Sequence, residues 1–292
     1  MIGPETAIIG CRWLFAAAAL FLWGAAAYLS VLVPNDLSRR VWTHLSKVRT
    51  VALPILIFAT LAGLASQAAN IGGGWGDGLR PDMLWDVLTD TNLGPAFLLQ
   101  IFALALLLVS LRLSASRQIY VTAFGSASML ISLSLTGHAV MNDGWIAIAH
   151  QANDVLHVLS GGAWIGSLLP VFIILRTTRG SDHAAKTALT RFSTAGHFAV
   201  ALVLATGVIN LFLVLGFLPL RWSSQYQLLL CLKIALVLMM VGLAVANRYV
   251  FVAKMVEQNW AKRALIFGTL TEILIAGFVI GLVAWFGTLP PE

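Results

Sequence analysis

Three histidines and an aspartate crowd one apolar stretch, residues 137–170, GHAVMNDGWIAIAHQANDVLHVLSGGAWIGSLLP. His150, Asp154 and His157 are spaced i, i+4 and i+7, so on a helix they share one face. That stripe descends by roughly 10 Å at about 1.5 Å per residue. His138 precedes a short connection holding Met141, Asn142 and Asp143, which makes the flanking helices antiparallel neighbours and brings His138 towards His150. Imidazole suits copper, zinc, iron and nickel, and thioether suits Cu(I). Converging imidazoles at one membrane face therefore point to metal binding, with His138, His150, Asp154 and His157 as candidate ligands. Two roles are open to Asp154: direct ligation, or orienting a histidine through its other ring nitrogen. The plainer alternative is a wet vestibule in which these groups bond to water and backbone.

His197 lies in a later apolar segment, at a depth expected to match that of His157. Two histidines at equal depth on neighbouring helices could hold a b-type haem, form a further metal stop, or merely bond to a carbonyl. Lys233 and Glu272 are ionisable groups inside apolar segments, where charge is expensive and a functional role is the first hypothesis. Each could relay protons, gate, or pair across helices. Lys233 is expected nearer the outer face and Glu272 nearer the inner. Asn210 and Asn247 read as packing hydrogen bonds, and Gly162 and Gly166 as a close helix contact.

The elements that must position these groups are membrane helices. Of 292 residues 59% are hydrophobic and 10% charged, against about 25% charged in soluble proteins. Several runs exceed the roughly 20 residues that cross a bilayer. Two-residue alternation is absent, which excludes a transmembrane barrel. The expected fold is all-α, a single integral-membrane domain over residues 1–292. Its eight spans cover about 7–33, 51–69, 93–111, 119–139, 146–175, 188–216, 226–246 and 264–286. The first run, without a clear small-residue cleavage site, reads as a retained helix.

Most of the 18 basic residues sit in alternate loops. Arg39, Arg40, Lys47 and Arg49 follow the first span, Arg112 and Arg117 the third. Arg176, Arg179, Lys186 and Arg191 follow the fifth, and Arg248, Lys254, Lys262 and Arg263 the seventh. The positive-inside rule then places both termini outside, in the periplasm of a bacterium. The loop carrying Asp77, Asp82, Asp86 and Asp90 lies on that outer side, as does the His138–His150 connection. A net charge of +6 thus serves orientation and does not indicate nucleic acid. No P-loop pattern is present, so any transport runs on a gradient, a potential or a partner. Two distant cysteines form neither a disulfide framework nor a CxxC motif.

The residues resemble one family, the copper resistance D proteins (CopD/PcoD-like). The resemblance rests on Gly137-His138-Ala139 with Asn142 and Gly144, then His150-Gln151-x-Asn153 and His157, and Ala163-Trp164-x-Gly166-x-Leu168-Leu169-Pro170. It continues through Arg191-Phe192-Ser193, Gly196-His197-Phe198-Ala199-Val200, Leu230-x-x-Lys233 and Ala246-Asn247-Arg248-Tyr249. Some members carry a further histidine where this chain has Asp154, a harder ligand. The resemblance implies a multi-pass inner-membrane protein that takes copper from the periplasm, with a small periplasmic copper-binding protein of the CopC type as its partner. The leading expectation is a copper transporter using His138, His150, Asp154, His157 and His197, supported by Met141, Asn142, Asn153, Lys233 and Glu272. The alternative is a membrane oxidoreductase with haem b between His157 and His197.

Overall fold

Within lipid every backbone N–H and C=O must be satisfied internally, so long apolar runs fold as helices. The computed structural model describes residues 3–137, 141, 143–177, 182–216, 224–252 and 259–291. Among these residues the chain is helical, without strands. The helices are α1 (Pro4–Val31), α2 (Asn35–His44), α3 (Ser46–Gly72), α4 (Trp75–Gly78), α5 (Pro81–Thr89) and α6 (Gly94–Ser110). They continue with α7 (Ala115–Leu133), α8 (Gly144–Thr177), α9 (His183–Leu215), α10 (Gln225–Ala246) and α11 (Asn259–Phe286). A π-helical turn, Asn247–Val252, follows α10.

Local chemistry sets the boundaries. Pro4 opens α1 where its missing N–H costs nothing, and Glu5 meets the helix dipole. Gly73, at φ 96°, closes α3 in a left-handed conformation that suits glycine. The Asp182 carboxylate accepts from Ala184 N (3.0 Å) and Ala185 N (3.3 Å), capping α9.

Among the described residues six helices are long and apolar enough to cross a membrane: α1, α3, α8, α9, α10 with its π turn, and α11. The other two expected spans fall short. α6 has 17 residues; taken with α5, from which it bends by 102°, it makes a seventh candidate. α7 ends at Leu133, short of the expected 139, and Ser116, Arg117, Gln118, Ser126 and Ser128 dilute its apolar character. The supported architecture is therefore a multi-pass helical bundle of six or seven candidate spans.

α1 is the axis of the bundle and packs against α3, α7, α8 and α11. Its crossing with α8 is a backbone contact. A Cβ on Gly24 would collide with the Gly162 carbonyl, and one on Gly166 with the Leu20 carbonyl. Only small residues allow such an approach, as the spacing of Gly162 and Gly166 predicts. Trp23 Nε1 donates to Leu159 O across the same interface (2.8 Å). α9 lies on α8 and α10 on α11, while α9 and α10 scarcely touch. A cleft between them is backed by α8 and α11.

At the end of the bundle rich in basic residues, α2 is amphipathic and tucks Trp42 beneath the helices. Trp42 Nε1 donates to Gln118 Oε1 (2.9 Å), and the Arg49 guanidinium lies 3.8 Å above the ring. Trp42→Phe deletes that hydrogen bond, strands Gln118 and weakens the cation–π contact. A loss of about 1–3 kcal/mol is expected, visible as a lower melting temperature in detergent.

At the opposite, acidic end Arg80 pairs with Asp77 and Asp82. The hydrogen bond that Arg80 donates to Asp82, reinforced by both negative charges, holds the guanidinium protonated above its ordinary range. Asp86 and Asp90 are exposed and, among the described residues, have no ion-pair partner.

Candidate functional site

α8 starts at the acidic end and is 34 residues long, about 51 Å at 1.5 Å per residue. It outreaches a hydrocarbon core of roughly 30 Å, so its first turns lie near the membrane surface. Trp145 there is 84% exposed, the exposure of an interfacial aromatic. His150 follows, only 1% exposed. Asn153, Asp154 and His157 continue inward and are all half-buried.

These side chains meet a complementary polar row. Ser134, just beyond the end of α7, donates Oγ–H to Asp154 Oδ2 (2.7 Å). Asn210 of α9 donates Nδ2 to Asp154 Oδ1 (3.1 Å). Asn153 Nδ2 donates to Asn210 Oδ1 (2.7 Å) and to the Thr206 carbonyl (3.0 Å). Both oxygens of Asp154 are thus engaged by neutral donors. Lys233 of α10 acts on Asp154 and His157 at a distance; it forms no ion pair within 4 Å among the described residues, and its ammonium lies 5.8 Å from the Phe286 ring.

His157 is held in one tautomer. Its Nδ1 is 2.9 Å from Thr206 Oγ1, and the Thr206 hydroxyl donates its own proton to Leu202 O (2.5 Å). A hydroxyl has one proton, so the proton in the histidine contact belongs to Nδ1. Nε2 keeps its lone pair; the ring's other polar neighbour is the Val203 backbone. Gly207 makes room for the ring: a Cβ there would lie 3.4 Å from His157 Cε1. This is how histidine ligands are prepared for a metal, with one nitrogen tied and the other keeping its lone pair.

The candidates do not all converge. His138 and Asn142 lie outside the described residues. Met141 is described and 52% exposed. Among the described residues no three His, Cys, Asp or Glu side chains stand close enough to hold a metal. His197 is not level with His157: the partner of His157 on α9 is Thr206, nine positions further along, roughly 13 Å on the helix axis. His197 Nδ1–H donates to Ser193 O (2.7 Å), and Nε2 accepts from the Tyr249 hydroxyl (3.2 Å). The expected equal depth, and with it a haem clamped between these histidines, is not what the helices build. Residue counts from opposite helix ends do not meet at one level here, because α8 and α9 run 34 and 33 residues, well beyond the roughly 20 that cross a bilayer.

A second cluster forms where the cleft reaches the basic end. Arg248 Nη1 donates to Ser193 Oγ, and Asn247 Nδ2 donates to Glu272 Oε1 (2.7 Å). A cavity of about 280 Å³ is lined by these groups, His197 and Thr269, with apolar walls from α8, α9 and α10. Sequence reading missed Ser134 and Thr206 altogether and treated Asn210 as packing. The available signal was Thr206 and Asn210 at i, i+4 on an apolar helix, which marks a polar stripe facing a polar stripe.

Comparison with known proteins bears on the chain at family level. Residues 1–148 match the model described as copper resistance protein D-like, N-terminal domain, and residues 186–286 match copper resistance protein D. The inner membrane protein YebZ of Escherichia coli (strain K12) is 34% identical over 97% of this chain and 98% of its own length. Copper resistance protein D of Pseudomonas syringae pv. tomato is 34% identical over 70% and 71%. Copper transport protein CutJ of Bacillus subtilis (strain 168) is 24% identical over 85% of this chain and 48% of its own. The bd oxidase structure from Geobacillus thermodenitrificans aligns with all of this chain and 88% of that one, at a TM-score of 0.56 and 11% identity; a likeness that distant concerns the fold alone.

Proposed function

Because the chain belongs to the copper resistance protein D family, a family of copper-related multi-pass inner-membrane proteins, we propose that it admits copper from the periplasm through the histidine-bearing face of α8. The observation that carries this reading is the Nε2 lone pair of His157. Thr206 fixes the ring so that the lone pair is presented without rearrangement. His150 lies nearer the acidic end on the same helix, and His138, outside the described residues, and Met141 are the proposed ligands that precede it in the chain. Copper enters at that end, where the exposed Asp86 and Asp90 add negative potential. Asp154, saturated by Ser134 and Asn210, orients the face and supplies charge without contacting the ion. Lys233 balances that charge. Both termini face the periplasm in this arrangement, as the basic loops require. A small copper-binding protein of the CopC type would deliver the ion.

The test is flux. Purified protein in proteoliposomes, supplied with copper under reducing conditions outside, is expected to admit it in a saturable way. Uptake equal to that of empty vesicles would refute transport. Thr206→Val probes the ligand geometry: it keeps the shape and removes the acceptor for His157 Nδ1–H. The ring then loses its orientation, and copper affinity is expected to fall roughly 10–100-fold in a chelator-competition titration. An unchanged affinity would remove Thr206 from the site.

A further inference from the structure

Glu272 and Asn247 are not used by the copper path. They sit at the basic end, in the part of the cleft furthest from His157. Glu272 is 3% exposed and Asn247 7%. The carboxylate has one described partner, Asn247 Nδ2 on Oε1. The other half of the amide is the anomaly: Asn247 Oδ1 is buried and receives no hydrogen bond. It is pressed against the bare Cα of Gly268, where a Cβ would collide with it.

A primary amide and a carboxylic acid pair through two hydrogen bonds. The amide N–H donates to one carboxyl oxygen, and the acid O–H donates back to the amide oxygen. One of those bonds is present here. The acceptor of the other, Asn247 Oδ1, is buried and has no hydrogen bond. Turning the amide over would move the shortage, since an amide oxygen would then face a carboxylate oxygen, and a proton would again be what repairs it. The two groups stand at the break where α10 becomes a π turn, a distortion often found at functional sites. The cavity of about 280 Å³ gives access to them.

We infer that Glu272 and Asn247 form a proton-binding site, and that a proton bound on Glu272 Oε2 is the ion coupled to copper movement. The coupling half rests on the transport reading above; the binding half does not. Glu272 shares the cavity with two other titratable or charged groups, His197 from α9 and Arg248 from the π turn. α8 and α10 contribute only uncharged residues to the cavity wall. α1, also packed on α11, carries Glu5, Cys11 and Arg12 towards the far end, where Arg12 lies beside Gly287, and Tyr28 at the basic end, where its ring packs on Phe192. The Arg248 guanidinium is anchored on Ser193 at the same cavity.

Two measurements test this. Infrared difference spectra of the protein in nanodiscs, recorded across pH, are expected to show the carbonyl band of a carboxylic acid that appears as pH falls. Glu272→Gln should lack the band, and Asn247→Leu should shift it by removing the hydrogen-bond acceptor. Spectra identical in wild type and Glu272→Gln at every pH would overturn the proton site. In proteoliposomes, pH gradients of opposite sense should change wild-type copper flux in opposite senses, and Glu272→Gln should respond to neither. A variant that responds like wild type would overturn the coupling. Absence of any copper flux in wild type would instead overturn the transport reading and leave the infrared result to decide the proton site. If Glu272→Gln does not fold, Glu272→Asp keeps the acid and withdraws it from Asn247; a band unmoved in that variant would equally refute the pairing.

Discussion

His157→Ala is expected to abolish saturable copper uptake and to weaken copper binding by more than the roughly 10–100-fold that follows loss of a supporting partner. The variant deletes the imidazole that Thr206 orients on the inner part of the α8 polar face. The structure around it should survive. Thr206 keeps its hydrogen bond to Leu202 O, and no buried donor or acceptor of Thr206 is orphaned by losing the ring. Folding and binding are thereby separable, which chelator competition and a melting curve on the same sample will show. His197→Ala is the informative contrast. Both its ring nitrogens are engaged, by Ser193 O and the Tyr249 hydroxyl, and it lies roughly 13 Å further along α9. It should leave the affinity of the outer site intact. Equal loss in both variants would mean that the two histidines hold one ion, and would refute the division into two sites. A wild-type affinity in His157→Ala would refute the ligand assignment itself.

Gly166→Val is expected to prevent accumulation of folded protein. The added Cβ meets Leu20 O and Gly24 Cα, which are backbone atoms that cannot rotate away. Ordinary overpacking costs about 1–3 kcal/mol because side chains yield; here α1 and α8 must separate. α1 also carries α3, α7 and α11, so separation propagates through the bundle. Loss of the monodisperse peak in size-exclusion chromatography is the readout. Gly242→Ala and Gly277→Ala are matched controls, since a Cβ at either position meets nothing within 4 Å. If Gly166→Val folds as they do, the close crossing of α1 and α8 is not what holds the bundle.

The same physics explains how far the sequence could be read. Membrane helices are legible because hydrocarbon imposes a single rule on every residue, that apolar side chains face out and backbone groups pair within the helix. That rule marked the six candidate spans found among the described residues, α1, α3, α8, α9, α10 and α11, whereas α6 is too short and α7 too polar to count by length and apolarity. The GxxxG spacing of Gly162 and Gly166 was legible for a related reason: its meaning depends only on side-chain size along one helix. His150, Asp154 and His157 were legible as a shared face because α8 is one uninterrupted helix.

What lies between helices was not. Sequence alone determined the fold class, the family, the acidic and basic ends, and which residues are too polar for their surroundings. Only the tertiary structure decided their partners. It set Thr206, and not His197, opposite His157; it gave the Asp154 oxygens to Ser134 and Asn210; and it gathered Ser193, His197, Asn247, Arg248 and Glu272 around one cavity. The physical reason is that periodicity fixes the angle of a side chain about its own axis, whereas the relative height of two helices depends on where each begins and on how closely their backbones approach. Those quantities come from caps and from packing at glycines such as Gly24 and Gly166, and a shift of nine residues changes which groups can touch.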